Sequence, residues 1–350
     1  MNTQIIDNVN RKNNDLTLFL KSNDDGVFYT GHASILVRLN NKKYLFDFIN
    51  NTNFYNNSWI FFPNQIMDNR LYDIDGIFVS HMHQDHYDPV LLRKFQKKNI
   101  PIYILDGRES FKKVLKKEKI NVKYIPIKKK TFIDKNTWVY GCLHEYNDID
   151  SSMLISNDNL SVYHGNDNFI TKKSLRPFKK KVGKVDVGCV PFAYINYYPY
   201  LLNGISKKVS ASEGKRIENL FMDYGIQQSK ILKPNIVIPF GSNLFHIDNP
   251  KSEMNKAVAT PVDFVNYAKK KHKTSSNNYK TMLSGSFCLK VKNKLKLNYE
   301  NINKLTFDSE LVKFTNKKKK LQNKNKILKK IIINKSKLNI IKKKIKKNEN

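Results

Sequence analysis

Apolar residues in this chain fall in short, dense runs separated by polar turns. From Gly26, VFYTGHASILVRL, a turn at Asn40-Asn41 and KKYLFDF carry β-branched and aromatic residues on both sides of the turn, which predicts two strands of a hairpin. A loop or hairpin-rich stretch follows through Trp59 and Pro63. IDGIFVS, Ile74 to Ser80, is almost wholly apolar, as a strand covered on both faces must be, and it stops abruptly at a polar cluster. Pro89 to Lys98 has Val90, Leu91 and Phe95 at helical spacing, and the strand IPIYILD, a helix from Glu109 to Lys117 and the strand VKYIPI come next. The middle is strand-rich: TWVYGCLH, SSMLIS and LSVYHG are separated by Asp/Asn turns, and VDVGCVPF is a further buried strand. Ser212 to about Leu232 reads as a helix ended by Pro234, before the strand NIVIPF. Residues 1 to 25 are polar and aperiodic, which predicts a loosely held lead-in. Helices inserted between strands place the chain in the α/β or α+β class with layered sheets.

The polar cluster that ends IDGIFVS is SHMHQDHYD, with His81, His83, Asp85 and His86 inside six residues. Three imidazoles and a carboxylate so close together would be a solvation liability in a core, whereas a divalent cation turns them into ligands. On a tight turn leaving a strand, alternate residues can point at one ion while the adjacent Asp/His pair points at a second.

This motif resembles the signature of the metallo-β-lactamase superfamily, and the resemblance covers roughly Gly26 to His272. It implies a four-layer αββα sandwich, here with a Lys-rich C-terminal extension. It also implies one metal site from His81, His83 and His144, a second from Asp85, His86 and His246, and Asp167 bridging them. His164, three residues before Asp167, is the alternative to His144, although its place inside the apolar run LSVYH favours a core role. His272, in KKKHK, reads as a surface residue. Within the superfamily, GHASILV, VDVGCVPFAYINYYPY and PFGSNLFHIDNP are similar to a branch with three kinds of member. These are the metal domain of CMP-N-acetylneuraminate monooxygenase, the ascorbate-6-phosphate lactonases and N-acyl phosphatidylethanolamine phospholipase D. That similarity puts His32 near the metals and the tyrosine-rich loop with Tyr197 and Tyr198 beside them, where ring faces could stack on a sugar. The monooxygenase's Rieske cluster needs two paired sets of Cys and His ligands, and the chain does not supply two: neither Cys189 nor Cys288 is followed closely by His.

Composition changes this picture only at the C-terminus. The net charge is +33, but Lys rather than Arg dominates the 63 basic residues, which argues for compositional drift over selection for phosphate binding. From Lys313 to Asn350 the chain has sixteen Lys and one acid, a local charge of 16 − 1 = +15, interleaved with Ile and Leu. The expected organisation is a lead-in over 1–25, a catalytic domain over 26–295 and a basic tail over 296–350. The tail is expected to be solvated, with weak contact to an anionic membrane surface as its partner and nucleic acid as a less favoured one. Three separated cysteines and no secretory leader point to a cytoplasmic protein with buried thiols. The expected function is a hydrolase with one or two divalent ions, zinc first and Mn or Fe(II) as alternatives. Its small-molecule substrate would be a phosphoester, lactone or acylated sugar derivative, with Asp85 and Asp167 handling the proton of the attacking water. A sugar-modifying role in sialic-acid-like or surface-glycan metabolism and a nucleic-acid enzyme or binding module are the competing readings.

Overall fold

The computed structural model describes residues 8–50, 55, 58–147, 149–195, 198–241, 243–247, 255, 258–271 and 278–321. Tyr197, His272 and residues 322–350 therefore lie outside the described residues.

Two sheets face each other. The larger contains β1 (Gly26–Gly31), β2 (Ser34–Leu39), β3 (Lys42–Phe46), β5 (Gly76–Phe78), β6 (Ile102–Leu105), β7 (Lys123–Ile125), β15 (Phe287–Val291) and β16 (Lys294–Asn298). Its strand order is β16-β15-β1-β2-β3-β5-β6-β7. The second contains β8 (Thr131–Phe132), β9 (Trp138–Leu143), β10 (Ser151–Ser156), β11 (Ser161–His164), β12 (Val187–Pro191) and β13 (Ile236–Phe240), in the order β13-β12-β11-β10-β9-β8. A small antiparallel sheet joins β4 (Trp59–Phe61) to β14 (Leu244–His246).

Alternate residues of both large sheets meet in a shared core that includes Val27, Tyr29, Phe46, Phe78, Met153, Val162, Val187 and Ile238. The outer face of the larger sheet is covered by α1 (Val9–Lys21), α2 (Pro89–Lys97) and α3 (Glu109–Lys117), through Leu16, Phe19, Leu91, Phe95, Phe111 and Leu115. That of the second sheet is covered by α4 (Lys172–Val182), α5 (Lys207–Leu232) and α6 (Pro261–Lys271). The result is the expected αββα layering. Among the described residues no helix is long and apolar enough to cross a membrane.

Three segments depart from the sequence reading. The apolar run from Val27 to Leu39 is two strands: Gly31 (φ 135°) and His32 (φ 49°) take left-handed conformations and reverse the chain, so His32 sits at a hairpin tip. Residues 9–21, within the expected lead-in, form α1 and bury Leu16 and Phe19 against Phe28 and Phe287. Past residue 295, β16 pairs with β15, and a helix over 304–321, α7, packs Phe307, Leu311 and Phe314 on Phe62 and Phe245. Short apolar spacing inside a Lys-rich sequence concealed that last contact: one face of α7 is apolar, and the Lys residues lie on the others.

Candidate metal centre

The site forms where strands of both sheets end. β5 stops at Phe78 and releases the His81–His86 turn; β11 stops at His164 and releases Asp167; β12 and β13 release Tyr194 and Gly241. Such carboxyl ends are where open α/β sheets place ligands.

His81 and His83 approach through Nε2 and Nδ1, 2.7 Å apart. The other nitrogen of His81, Nδ1, lies 3.0 Å from Ser80 Oγ and 3.1 Å from Asn166 Nδ2, which fixes the ring with Nε2 toward the site. Asp167 Oδ2 is 3.8 Å from His81 Nε2 and 3.3 Å from His86 Nε2, so one carboxylate lies between the two imidazoles. His86 is held from behind by the buried Asp47, 3.0 Å from Nδ1, which also accepts from the Ser80 amide at 2.7 Å. Asp85 receives the Tyr55 hydroxyl at 2.8 Å and lies 3.0 Å from His32 Nε2. The His32 ring stacks on Phe61, with centroids 4.6 Å apart.

Donor atoms within 4.8 Å of one another thus form two groups: His81, His83 and Asp167, and His32, Asp85 and His86. Of the cluster read from sequence, His81 and His83 stand in the first group with Asp167, and Asp85 and His86 in the second. His32, expected near the metals as a substrate residue, stands in the second group. His144 and His246 stand in neither. His144 Nδ1 accepts the backbone N–H groups of Tyr146 (3.1 Å) and Asn147 (3.2 Å). His246 is buried edge-on against Trp59, and its backbone is paired with the Asn255 amide. His164 is a core residue between Phe46 and Phe240, with Nε2 on the Ala33 carbonyl at 3.1 Å. Tyr198 is exposed and its hydroxyl donates to Glu213, away from the cavity.

Electrostatics divides the histidines. Burial, reinforced by the neighbouring His86 and His83, holds His81 well below the usual imidazole range, so it is neutral. Burial opposes charge on His86 too, but Asp167 and Asp85 outweigh it and raise its pKa well above that range. Burial likewise pushes Asp85 up, yet His86 and His32 prevail and hold it well below the usual carboxylate range. Asp150, beside them, is raised by burial and then by Asp167.

His83, Asp85 and Asp167 of these groups, together with Asp150, line a cavity of about 380 Å³. Trp59 and Leu244 of the small sheet, Phe169, Tyr194, Ile195 and Phe221 supply its apolar surface, with Phe221 packed edge-on to Phe169 at 4.5 Å and beside Tyr194 at 4.8 Å. The charged residues of the lining are Asp85, Asp150 and Asp167; no Lys or Arg is among the described residues that line it. Asp47, Tyr55 and Asp150 escaped the sequence reading. For Asp150 the only signal was an acid immediately preceding a buried strand.

No family model and no curated protein matches the chain. Solved structures do. Igni18, a metallo hydrolase from the hyperthermophilic archaeon Ignicoccus hospitalis, is 14% identical, matched over 79% of this chain and 99% of that one with a TM-score of 0.50. Isothiocyanate hydrolase from Delia radicum gut bacteria is 12% identical, matched over 75% of this chain and 98% of that one with a TM-score of 0.51. At such identity the likeness is one of fold alone, an αββα sandwich.

Proposed function

We propose that the protein is a divalent-metal-dependent hydrolase that cleaves an acyl bond, an ester, lactone or acylated sugar, in a substrate with an apolar, largely uncharged body. The observation that carries this reading is the meeting of two His/Asp donor groups at the floor of an aromatic cavity. The residues fit metal ions. His86 Nε2 is buried without a hydrogen bond although it faces two carboxylates, and Asp150 Oδ1 is likewise buried without one.

Divalent ions bound there would supply Lewis acidity, activating water at neutral pH and offsetting the charge that develops on the acyl oxygen. Asp167, placed between His81 and His86, is the group positioned to join the two sites and to hold the proton of the attacking water. The water oxygen forms a bond to the acyl carbon, the bond to the leaving oxygen or nitrogen breaks, and the leaving group departs with a proton. Phe169, Tyr194 and Phe221 bind the body of the substrate by apolar contact. The walls are aromatic and, among the described residues, carry no Lys or Arg to hold a phosphate, which favours an acyl group over a phosphoester. Of the three kinds of member in the resembling branch, the lactonases act on this class. Zinc, Mn(II) and Fe(II) all suit the donors. The architecture shared with metallo and isothiocyanate hydrolases also agrees with hydrolysis at an electrophilic carbon.

The test is a screen of metal-loaded and chelator-stripped protein against 4-nitrophenyl esters, aryl lactones and the matching 4-nitrophenyl phosphates. Metal-dependent turnover of the acyl compounds, with little on the phosphates, is expected. Preference for the phosphates would overturn the substrate assignment, and turnover unchanged by stripping would overturn the metal role.

A further inference from the structure

We infer that Asp150 is a metal ligand of the His81/His83/Asp167 site and that it takes the place the sequence resemblance gave to His144. The inference rests on the metal-dependent reading above and specifies who holds the ion.

The turn between β9 and β10 carries the argument. The His144 N–H donates to the Asp150 carbonyl at 2.9 Å, and Asn147 Oδ1 accepts the N–H groups of Ile149 (3.0 Å) and Asp150 (2.9 Å). Inside that turn His144 Nδ1 accepts from Tyr146 and Asn147, so the neutral ring carries its proton on Nε2 and keeps no free lone pair for a cation. His144 is spent on closing its own turn. The same turn delivers Asp150 to the cavity at the first residue before β10. Its Oδ2 is steadied by the Asn147 side-chain amide at 2.9 Å, while Oδ1 lies buried with no hydrogen-bond partner, 3.9 Å from His81 Nε2. Asp167 Oδ2 stands almost as far from that nitrogen, at 3.8 Å. Ion–ligand bonds of about 2.0–2.2 Å keep two ligands of one ion within about 4.4 Å of each other. The tight group of three ends at His81, His83 and Asp167, and Asp150 Oδ1 approaches it from the His81 side. A buried carboxylate oxygen facing imidazoles, oriented from behind by an amide and otherwise unsatisfied, is the arrangement of a ligand with its supporting hydrogen bond.

The experiment is titration of the full-length, chelator-stripped protein with Mn(II), read by calorimetry and by electron paramagnetic resonance of the free ion. Wild type, Asp150→Ala, Asp150→Asn and His144→Ala are compared, with far-UV circular dichroism and melting of each metal-free protein as the folding control. Both Asp150 variants are expected to weaken binding at one site by more than about tenfold, the range in which even supporting residues of metal sites act. His144→Ala should stay within about twofold of wild type. Asp150 variants that bind like wild type, or a His144→Ala protein that loses the ion, would overturn the assignment while leaving the metal reading intact. A wild-type protein that takes up no ion fails at the earlier step and removes both.

Discussion

Replacing Phe314 by Ala should destabilise the whole body, and the reason is a contact that the Lys-rich sequence around it hides. Phe314 is 3% exposed in α7, with its ring centroid 5.2 Å from that of Phe62 and in one cluster with Phe245, Phe307 and Leu311. Truncating a buried Phe to Ala costs about 3–5 kcal/mol, from lost transfer energy and from the cavity left behind. With roughly 2–4 °C lost per kcal/mol in larger domains, the melting temperature should fall by about 6–20 °C. Leu305, on the same helix, is 84% exposed, and Leu305→Ala should change stability by less than about 0.5 kcal/mol. Differential scanning fluorimetry of the two variants beside wild type decides the matter. Equal melting temperatures for Phe314→Ala and wild type would refute the packing of α7. Ending the chain before Lys313, expected from sequence to leave the body intact, removes Phe314 and the buried Thr315 and should be equally damaging. The damage should reach the cavity, because Phe62 and Phe245 belong to or flank the small sheet that provides Trp59 and Leu244.

Lys290 and Asp186 form a buried ion pair at 2.7 Å, so Lys290→Met should cost about 3–5 kcal/mol by leaving a buried carboxylate without its main partner; urea unfolding with a loss under about 1 kcal/mol would contradict this. Burial raises Asp186, but the hydrogen bonds from Lys290 and Lys184 outweigh it and depress its pKa. Its contribution to stability is therefore fully present above the unfolded carboxylate pKa near 4 and is lost as pH falls through the lower folded value, a loss that Asp186→Asn should abolish in an acid titration of the unfolding free energy. Phe221→Leu should lower kcat/KM about three- to tenfold for aryl substrates and less for small aliphatic ones, with metal content unchanged; equal losses on both would show that the ring does not contact the substrate body.

The sequence made the frame legible wherever a periodic run met a turn residue. The αβ alternation through β5, α2, β6 and α3 follows from short apolar strands and amphipathic helices, and H-x-H-x-D-H announced itself because nothing but a cation makes those residues good neighbours. The rest depended on contacts far apart in sequence. His32 reaches Asp85 because two left-handed residues turn the chain inside a run that looks like one strand. Asp47 supports His86 across 39 residues, a pairing no local pattern encodes. His144 ends its strand as the resemblance requires, yet two backbone N–H groups three residues or fewer away claim its nitrogen, and such turn chemistry is invisible until the loop's path is known.

The most direct test of the central claim is the metal content of protein purified without added ions, followed by uptake on anaerobic titration with zinc, Mn(II) and Fe(II), for wild type and His83→Ala. His83 Nδ1 stands 2.7 Å from His81 Nε2 in the first donor group, so its loss leaves an incomplete coordination sphere. The account predicts one or two ions per wild-type chain and loss of most of the binding at one site in the variant. Wild-type protein that neither carries nor takes up any of the three ions would contradict it.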